Sequence, residues 1–341
     1  MSGRVAAISL RIAQAIPVII GVIVISFLLT RALPGDPAVQ FAGAAATPES
    51  IEQVRRSLGL DKPLPEQFII YVGNLLQGDL GQSVATGRPV IEELTARLPA
   101  SLELTLTALL LSCLVAIPLG ILAATRPGSW VDQLCRLLVT AGVSLPTFFT
   151  GLVLIYVFYY LLGIAPSPLG RLDFIYLEPP HVTGFFLIDS LLAGDLATFM
   201  GALRQLILPA VTLALFTLAP IARMTRAAML SALGADYIRT ARAAGLDRRK
   251  ILYGYAFRNA LLPVVTTLGM VFSFVLGANV LVEKVFAWPG IGSYAVEALV
   301  TSDYAAVQGF VLAMALLFVV LNLLIDLAYS IIDPRFGADA R

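Results

Sequence analysis

Charge is what this sequence lacks most. Only 13% of its 341 residues are charged, 23 Lys+Arg and 22 Asp+Glu, where a soluble domain carries about a quarter. So few charges do not cover the surface of a soluble protein of this length, while 58% of the residues are hydrophobic. A soluble globular enzyme, a disordered chain and a nucleic-acid-binding protein with a basic face are therefore excluded. The single histidine, His181, rules out a multi-histidine zinc site, and no metal site is expected. The three lysines, Lys62, Lys250 and Lys284, are followed by Pro, Ile and Val, so no phosphate-binding GK[ST] loop exists. Any nucleotide must be held by another polypeptide. The two cysteines, Cys113 and Cys135, lie in or beside apolar runs and suggest packing, not a disulfide framework.

What is present is apolar sequence in long blocks. Crossing the hydrocarbon takes about 20 helical residues at 1.5 Å each. Six uncharged runs approach or exceed that length: Ile12–Leu29, Leu104–Ala124, Leu137–Ala165, Gln205–Ala222, Asn259–Val282 and Tyr304–Ile325. They are continuous, not alternating, which favours helices over barrel strands. The third is longer than a span needs and predicts a loop after Gly163, since Pro166 and Pro168 follow. The fourth is among the shortest and carries Pro209 and Pro220. The first run, flanked by Arg4 and Arg11, has the look of a signal peptide. It is long for one, and Leu33-Pro-Gly-Asp-Pro37 follows where a small-x-small cleavage site would stand, so an uncleaved span is expected. The expectation is an all-α polytopic membrane protein with six transmembrane helices.

Placing both termini in the cytoplasm puts 14 basic residues against 6 acids inside and 9 against 16 outside. This agrees with the positive-inside rule. Three pieces follow: an N-terminal span (1–30), an extracytoplasmic segment (31–100) and a five-helix core (101–341). The outer segment contains a helix-like stretch at Pro48–Leu58, where Thr47 is a cap and Pro48 a first-position proline. Within the core lie an outer loop (166–204) and an inner loop (223–262).

The inner loop is the most informative segment. Seven basic residues fall between Arg226 and Arg258 against two acids, Asp236 and Asp247. Leu230, Leu233, Tyr237, Ala241 and Ala244 recur at three- and four-residue spacing, predicting one helix with an apolar stripe. Gly245 is placed to end it in a left-handed conformation, and Asp247 to cap a second short helix through Tyr255. Helix, glycine, helix makes a rigid projection, unlike the polar sequence of a tether. Two readings fit it: a helix pair on anionic headgroups, or a helix docked in a partner's groove.

The whole pattern resembles the membrane permease subunits of bacterial ABC importers, in the dipeptide/oligopeptide/nickel branch. Residues 223–262 resemble the EAA loop of these permeases. With Gly245 fixing the register, Arg239-Thr240-Ala241 occupy the Glu-Ala-Ala positions, and two of those three letters depart from the general pattern. The departures are similar to the peptide branch, whose usual form is Asp-Tyr-x-Arg-Thr-Ala-Arg-Ala-x-Gly-Leu, here Asp236–Leu246. Leu33–Pro37, Gly78–Gly81, Arg97–Leu104, Phe286–Gly292, Asn322–Asp326 and Asp333–Arg335 also resemble that branch, in order and spacing.

The resemblance implies a type I ABC importer permease fold in the bacterial inner membrane. It implies a heterodimer with a second homologous permease, two cytoplasmic ATPase subunits that bind ATP and Mg, and an extracytoplasmic substrate-binding protein. This chain would carry no cofactor and no catalytic residue. The residues implied to couple to the ATPase are Arg239, Thr240, Ala241, Gly245, Leu246 and Asp247. Dipeptides, longer peptides, glutathione and nickel chelates all fall within the branch. Intramembrane polar groups tend to face a cavity, which makes Asn279, Glu283 and Asn322 candidates for the translocation path. Asp326 is expected to be structural, Trp288 to be an interfacial anchor in a tight turn, and His181 to lie on a loop surface. The rival reading is an autonomous secondary transporter or channel, which would bring inverted repeats or charged midplane residues; neither is visible.

Overall fold

The computed structural model describes residues 2–32, 36–43, 46–57 and 59–332. Leu33–Gly35 and Asp333–Arg335 of the quoted motifs, and the side chains of Arg4, Arg11 and Asp326, lie outside the described residues. Every regular element described is helical. In order they are α1 (Ser2–Ala32), α2 (Pro37–Ala42), α3 (Pro48–Ser57), α4 (Leu64–Leu76), α5 (Val90–Thr125), α6 (Trp130–Ser144), α7 (Thr147–Leu154, continued by a π-helical stretch Ile155–Leu161), α8 (Phe186–Leu192), α9 (Leu196–Gly234), α10 (Asp236–Ala243), α11 (a π-helical stretch Lys250–Phe257 continued by Arg258–Val285), α12 (Ile291–Val300) and α13 (Tyr304–Ile332). Among the described residues four helices are long and apolar enough to cross a membrane: α5, α9, α11 and α13. The protein is a multi-pass, all-helical membrane protein.

The third apolar run is not one helix. α6 ends at Ser144, Leu145 is extended, and Pro146 precedes the first turn of α7. Proline disfavours helical backbone at the residue before it, and here that preference breaks the segment. The expected loop after Gly163 is present, with Gly163 at φ +61. Thr47 caps α3 as expected, its Oγ1 accepting from the Ser50 N–H at 3.3 Å.

The chain divides into two compact units, one built on Pro99–Pro289 with α13 from Leu321, the other on Ser9–Leu98 and Gly290–Val320. In the first unit α9 is the central helix, 39 residues long and the most buried of the four candidate spans. Its neighbours approach closely through glycines. A Cβ on Gly142 of α6 would stand 2.7 Å from the Leu215 carbonyl oxygen of α9, and one on Gly120 of α5 would stand 2.9 Å from the Ala222 carbonyl oxygen. Small residues at such crossings are how helices associate in lipid, where there is no water to expel. Gly142→Ala is expected to push α6 off α9 and cost about 1–3 kcal/mol, read as a lower melting temperature in detergent. Between α5 and α9 the buried Ser112 and Thr217 hydroxyls hydrogen-bond to each other, and the Ser112 Oγ also donates to the Ala214 carbonyl at 3.0 Å.

The segment between α7 and α9 is strapped to α5 by a buried ion pair. Arg171 Nη2 donates to Glu103 Oε2 at 2.6 Å and to the Gly184 carbonyl at 2.8 Å, and the guanidinium lies 3.6 Å from the Phe186 ring centroid. Glu103 Oε1 accepts from the Leu187 N–H at 2.8 Å. Burial lowers the basicity of Arg171 from the usual arginine value, and Glu103 opposes that shift. Asp189 organises the same segment by accepting from the N–H groups of Val182, Thr183 and Gly184 and from the Thr183 hydroxyl. Burial works to raise its carboxyl, but these donors outweigh it and hold the group below the usual carboxylate value. A carboxylate with a lowered folded value stabilises the protein above about pH 4, and that contribution disappears as pH falls through the lowered value. The melting temperature of Asp189→Asn is therefore expected to lie below wild type at pH 7, with the gap narrowing in acid.

In the second unit Asp303 caps α13, accepting from the Ala306 N–H at 3.1 Å, and also accepts from the Ser83 hydroxyl and the Ala85 N–H. The Arg97 guanidinium lies 5.0 Å from the Tyr294 ring centroid and pairs with Glu93 at 3.0 Å. Desolvation, with Asp303 nearby, pushes the Tyr294 phenol up to about 12.

Candidate functional site

The inner loop folds into a short helix held at its base. α9 stops at Gly234 because Ala235 leaves helical backbone, with φ −73 and ψ 151. α10 follows at once, without a side-chain cap. Asp236 in its first turn and Arg242 in its last complement the helix dipole. After Ala244 the chain reverses at Gly245, φ +71, whose N–H donates to the Arg242 carbonyl at 3.0 Å, while the Leu246 N–H donates to the Ala241 carbonyl at 3.2 Å. This is a glycine-dependent helix stop. Asp247 starts the next helix: its carboxylate accepts from the Arg249 N–H at 2.9 Å and its carbonyl from the Ile251 N–H.

Two expectations need correcting here. The apolar residues do not form one stripe on one helix, because the break at Ala235 resets the register. Ile238 and Ala241 are the buried residues of α10, whereas Tyr237 and Ala244 are exposed. The helix begun at Asp247 does not end at Tyr255 either. It passes through the π-helical stretch Lys250–Phe257 into α11 and runs to Val285. The projection is thus one short helix and the foot of a long one.

Its base is apolar and common to several helices. Ile238 and Ala241 pack with Ile121 and Ala124 of α5, Met229 and Ala232 of α9, and Ile251, Ala256 and Ala260 of α11, with Leu246 half-buried against them. The opposite face carries Arg239, Thr240 and Arg242, all exposed, as are Gly245 and Asp247. The Arg239 side chain is 82% exposed and 3.4 Å from Asp236, a pair worth little in water. Of the six residues singled out from sequence, the structure therefore brings Ala241 and Leu246 to the inner side and leaves Arg239, Thr240, Gly245 and Asp247 on the surface.

A second cluster lies near the same end of α9. Asp132 of α6 is fully buried and accepts from Arg226 of α9 through both Nε (2.5 Å) and Nη2 (3.0 Å), from the Gly128 N–H at 3.0 Å and from Arg136 at 3.1 Å. In the sequence Arg226 is one of the seven basic residues from Arg226 to Arg258, and nothing there pairs it with Asp132. The one local signal was Ser129-Trp-Val-Asp132, a capping pattern; Ser129 does cap α6, accepting from the Asp132 N–H.

The candidate path residues lie on α11 and α13. Asn279 and Glu283 of α11 are buried against α5: Asn279 Nδ2 donates to Thr105 Oγ1 at 3.2 Å and to the Ser101 carbonyl at 3.3 Å, and Glu283 accepts from the Ser101 hydroxyl. Asn322 lies on an exposed face of α13. The structure thus brings Asn279 and Glu283 to the same residue of α5, Ser101. The break between α6 and α7 opens a cavity of about 180 Å³ against α9, lined by Gly142, Thr147, Thr150, Thr212 and Phe216 among others. Trp288, expected at an interface, is instead a core residue, 2% exposed, with Nε1 donating to the Ala100 carbonyl at 2.9 Å. His181 is exposed and Cys135 buried, as expected.

Comparison with known proteins agrees with this architecture. Residues 116–338 match the family described as binding-protein-dependent transport system inner membrane component, and residues 6–105 match the N-terminal segment of such membrane components. The chain is 49% identical over 321 residues to a probable D,D-dipeptide transport system permease protein of Escherichia coli, covering 94% of each. It is 42% identical to a di/tripeptide transport system permease protein of Pseudomonas aeruginosa, covering 96% of this chain and 97% of the relative. A dipeptide transport system permease protein of Escherichia coli is 40% identical, covering 95% and 96%.

Proposed function

We infer the working arrangement of this protein from its membership: the chain belongs to the family of binding-protein-dependent transport system inner membrane components. It is a permease subunit of an ATP-driven importer, not an enzyme. ATP and Mg belong to partner ATPase subunits, in keeping with the missing phosphate-binding loop. The proposed substrates are short peptides, the class named for its relatives. Six membrane crossings follow if α1 and the broken α6–α7 pair join α5, α9, α11 and α13. Both termini and α10 then face the cytoplasm of a bacterial inner membrane, and the segment between α7 and α9 faces outward. A second homologous permease completes the pathway, two ATPases dock below, and a substrate-binding protein docks above.

The observation that carries the ATPase assignment is the form of α10. Its inner face is locked into an apolar cluster shared by α5, α9 and α11, while its outer face presents Arg239, Thr240 and Arg242. A helix lying on lipid would turn apolar residues outward. Here Ile238 and Ala241 are turned inward, and the exposed face carries Arg239, Thr240 and Arg242 with Tyr237 as its one large apolar side chain. Pushed by an ATPase pair that closes on ATP, such a helix moves the ends of three long helices together. A ligand biases a two-state switch only by preferring one state, and ATP and the loaded binding protein are the two such ligands. The test is reconstitution of this chain with its second permease, ATPases and binding protein in liposomes. ATP-dependent dipeptide uptake is expected from the full set and none from the chain alone. Solute movement by the chain alone without ATP would favour an autonomous transporter and overturn the proposal.

A further inference from the structure

We propose that Asp132 is a positioning residue for energy coupling: it latches α6 to α9, so that the helix carrying α10 moves as one body with α6 and α5. The proposal deepens the reading of α10 as the ATPase contact and rests on it.

The latch stands out by its chemistry. A carboxylate with no exposure is held by the paired donors of one arginine, a second arginine and a backbone N–H, with the Arg226 fork coming from a helix 94 residues away. Paired N–H donors on a carboxylate fix direction as well as distance. Arg226 lies eight residues, about two helical turns, before the end of α9, and α10 begins two residues after that end. About one turn before Arg226, α5 and α9 touch through Gly120 and the Ala222 carbonyl, and farther back α6 touches α9 through Gly142 and the Leu215 carbonyl. α9 is therefore gripped from two sides by backbone contact and pinned at its α10 end by the ion pair. A turn of polar, flexible sequence would let α6 lag behind a displaced α9. Here Gly128 at φ +79, the Ser129 cap and the Asp132 carboxylate close the α5–α6 turn into a fixed corner. A push on α10 then reaches α6, and through it the break at Pro146 where the cavity opens.

The experiment measures three quantities in the assembled importer: ATPase subunits retained, ATP hydrolysed and dipeptide transported. Asp132→Asn is expected to retain the ATPases and to hydrolyse ATP within about twofold of wild type, while dipeptide moved per ATP falls at least tenfold. Arg226→Lys, which keeps the charge and loses the fork, is expected to fall between the two. An unchanged transport-to-hydrolysis ratio in both variants, or a parallel fall in retention, hydrolysis and transport, overturns the latch. If Asp132→Asn does not assemble, spin labels at Gln133 and Ser231, in a background lacking Cys113 and Cys135, decide it. Their separation is expected to stay constant between nucleotide-free and ATP-trapped states, and a change overturns the proposal. ATPase retention in variants of the exposed face of α10 separately tests the docking reading.

Discussion

Gly245→Pro is expected to strip the ATPase subunits from this permease. Gly245 holds φ +71 and its N–H closes the turn onto the Arg242 carbonyl. Proline is fixed near φ −65° and has no N–H, so both features are lost together. The chain between Ala244 and Asp247 must then leave α10 in another direction, which misplaces Leu246 and the start of α11. Co-purification of the ATPases is expected to fall at least about tenfold, equivalent to about 1.4 kcal/mol of docking free energy. ATP-dependent uptake should fall with it. Gly245→Ala separates conformation from contact. Nothing lies within 4 Å of a Cβ built there, so alanine is opposed only by the left-handed backbone, about 1–2 kcal/mol, and is expected to keep partial docking. Arg239→Glu leaves the backbone alone and reverses the charge on the exposed face. If all three variants retain the ATPases at wild-type level, the loop is not the docking site.

Glu103→Gln is expected to have the largest effect on stability. Glu103 and Arg171 are both almost fully buried; Arg171 also donates to the Gly184 carbonyl, and Glu103 also accepts from the Leu187 N–H. Neutralising one member leaves a buried guanidinium without its counter-charge, which costs about 3–5 kcal/mol in comparable sites. That corresponds to a fall in melting temperature of roughly 10 °C. Replacing both, as Glu103→Gln with Arg171→Met, is expected to restore much of the loss, because no uncompensated charge remains. Trp288 lies 6.0 Å from the guanidinium, so its fluorescence reports the transition directly. A single variant as stable as wild type would show that the pair is solvated or dispensable.

The weakest of the six apolar runs shows how far sequence reading reached. Gln205–Ala222 is short, interrupted by two prolines and by threonines, yet it belongs to α9, the longest helix described. Its composition is less lipid-like because it is packed on several sides by α6, α7, α8 and α11. Hydropathy reports contact with lipid, and a central helix has little of it. The converse error produced the third run: α6 and α7 are both apolar enough to read as one span, and only the extended backbone before Pro146 separates them. At the site, Gly245 and Asp247 were legible because a helix stop and a helix start are local events. The register of α10 was not, because Ala235 carries no side-chain signal for a break; the break is set by where Ile238 and Ala241 find their apolar neighbours.

The sequence by itself determined that this is a helical, multi-pass membrane protein, that it contains no GK[ST] motif, and that seven of its 23 cations fall between Arg226 and Arg258. Those are properties of composition and of local pattern, and the bilayer enforces them at every residue. Only the tertiary structure decided which of those cations belong to a surface and which to a scaffold. Arg239 and Arg242 point outward, whereas Arg226 closes on Asp132 from across 94 residues; outside that loop, Arg171 closes on Glu103 in the same way from across 68. An ion pair between distant helices leaves no periodicity in the chain. It exists because two distant segments pack closely enough to exclude water, which makes each charge require the other.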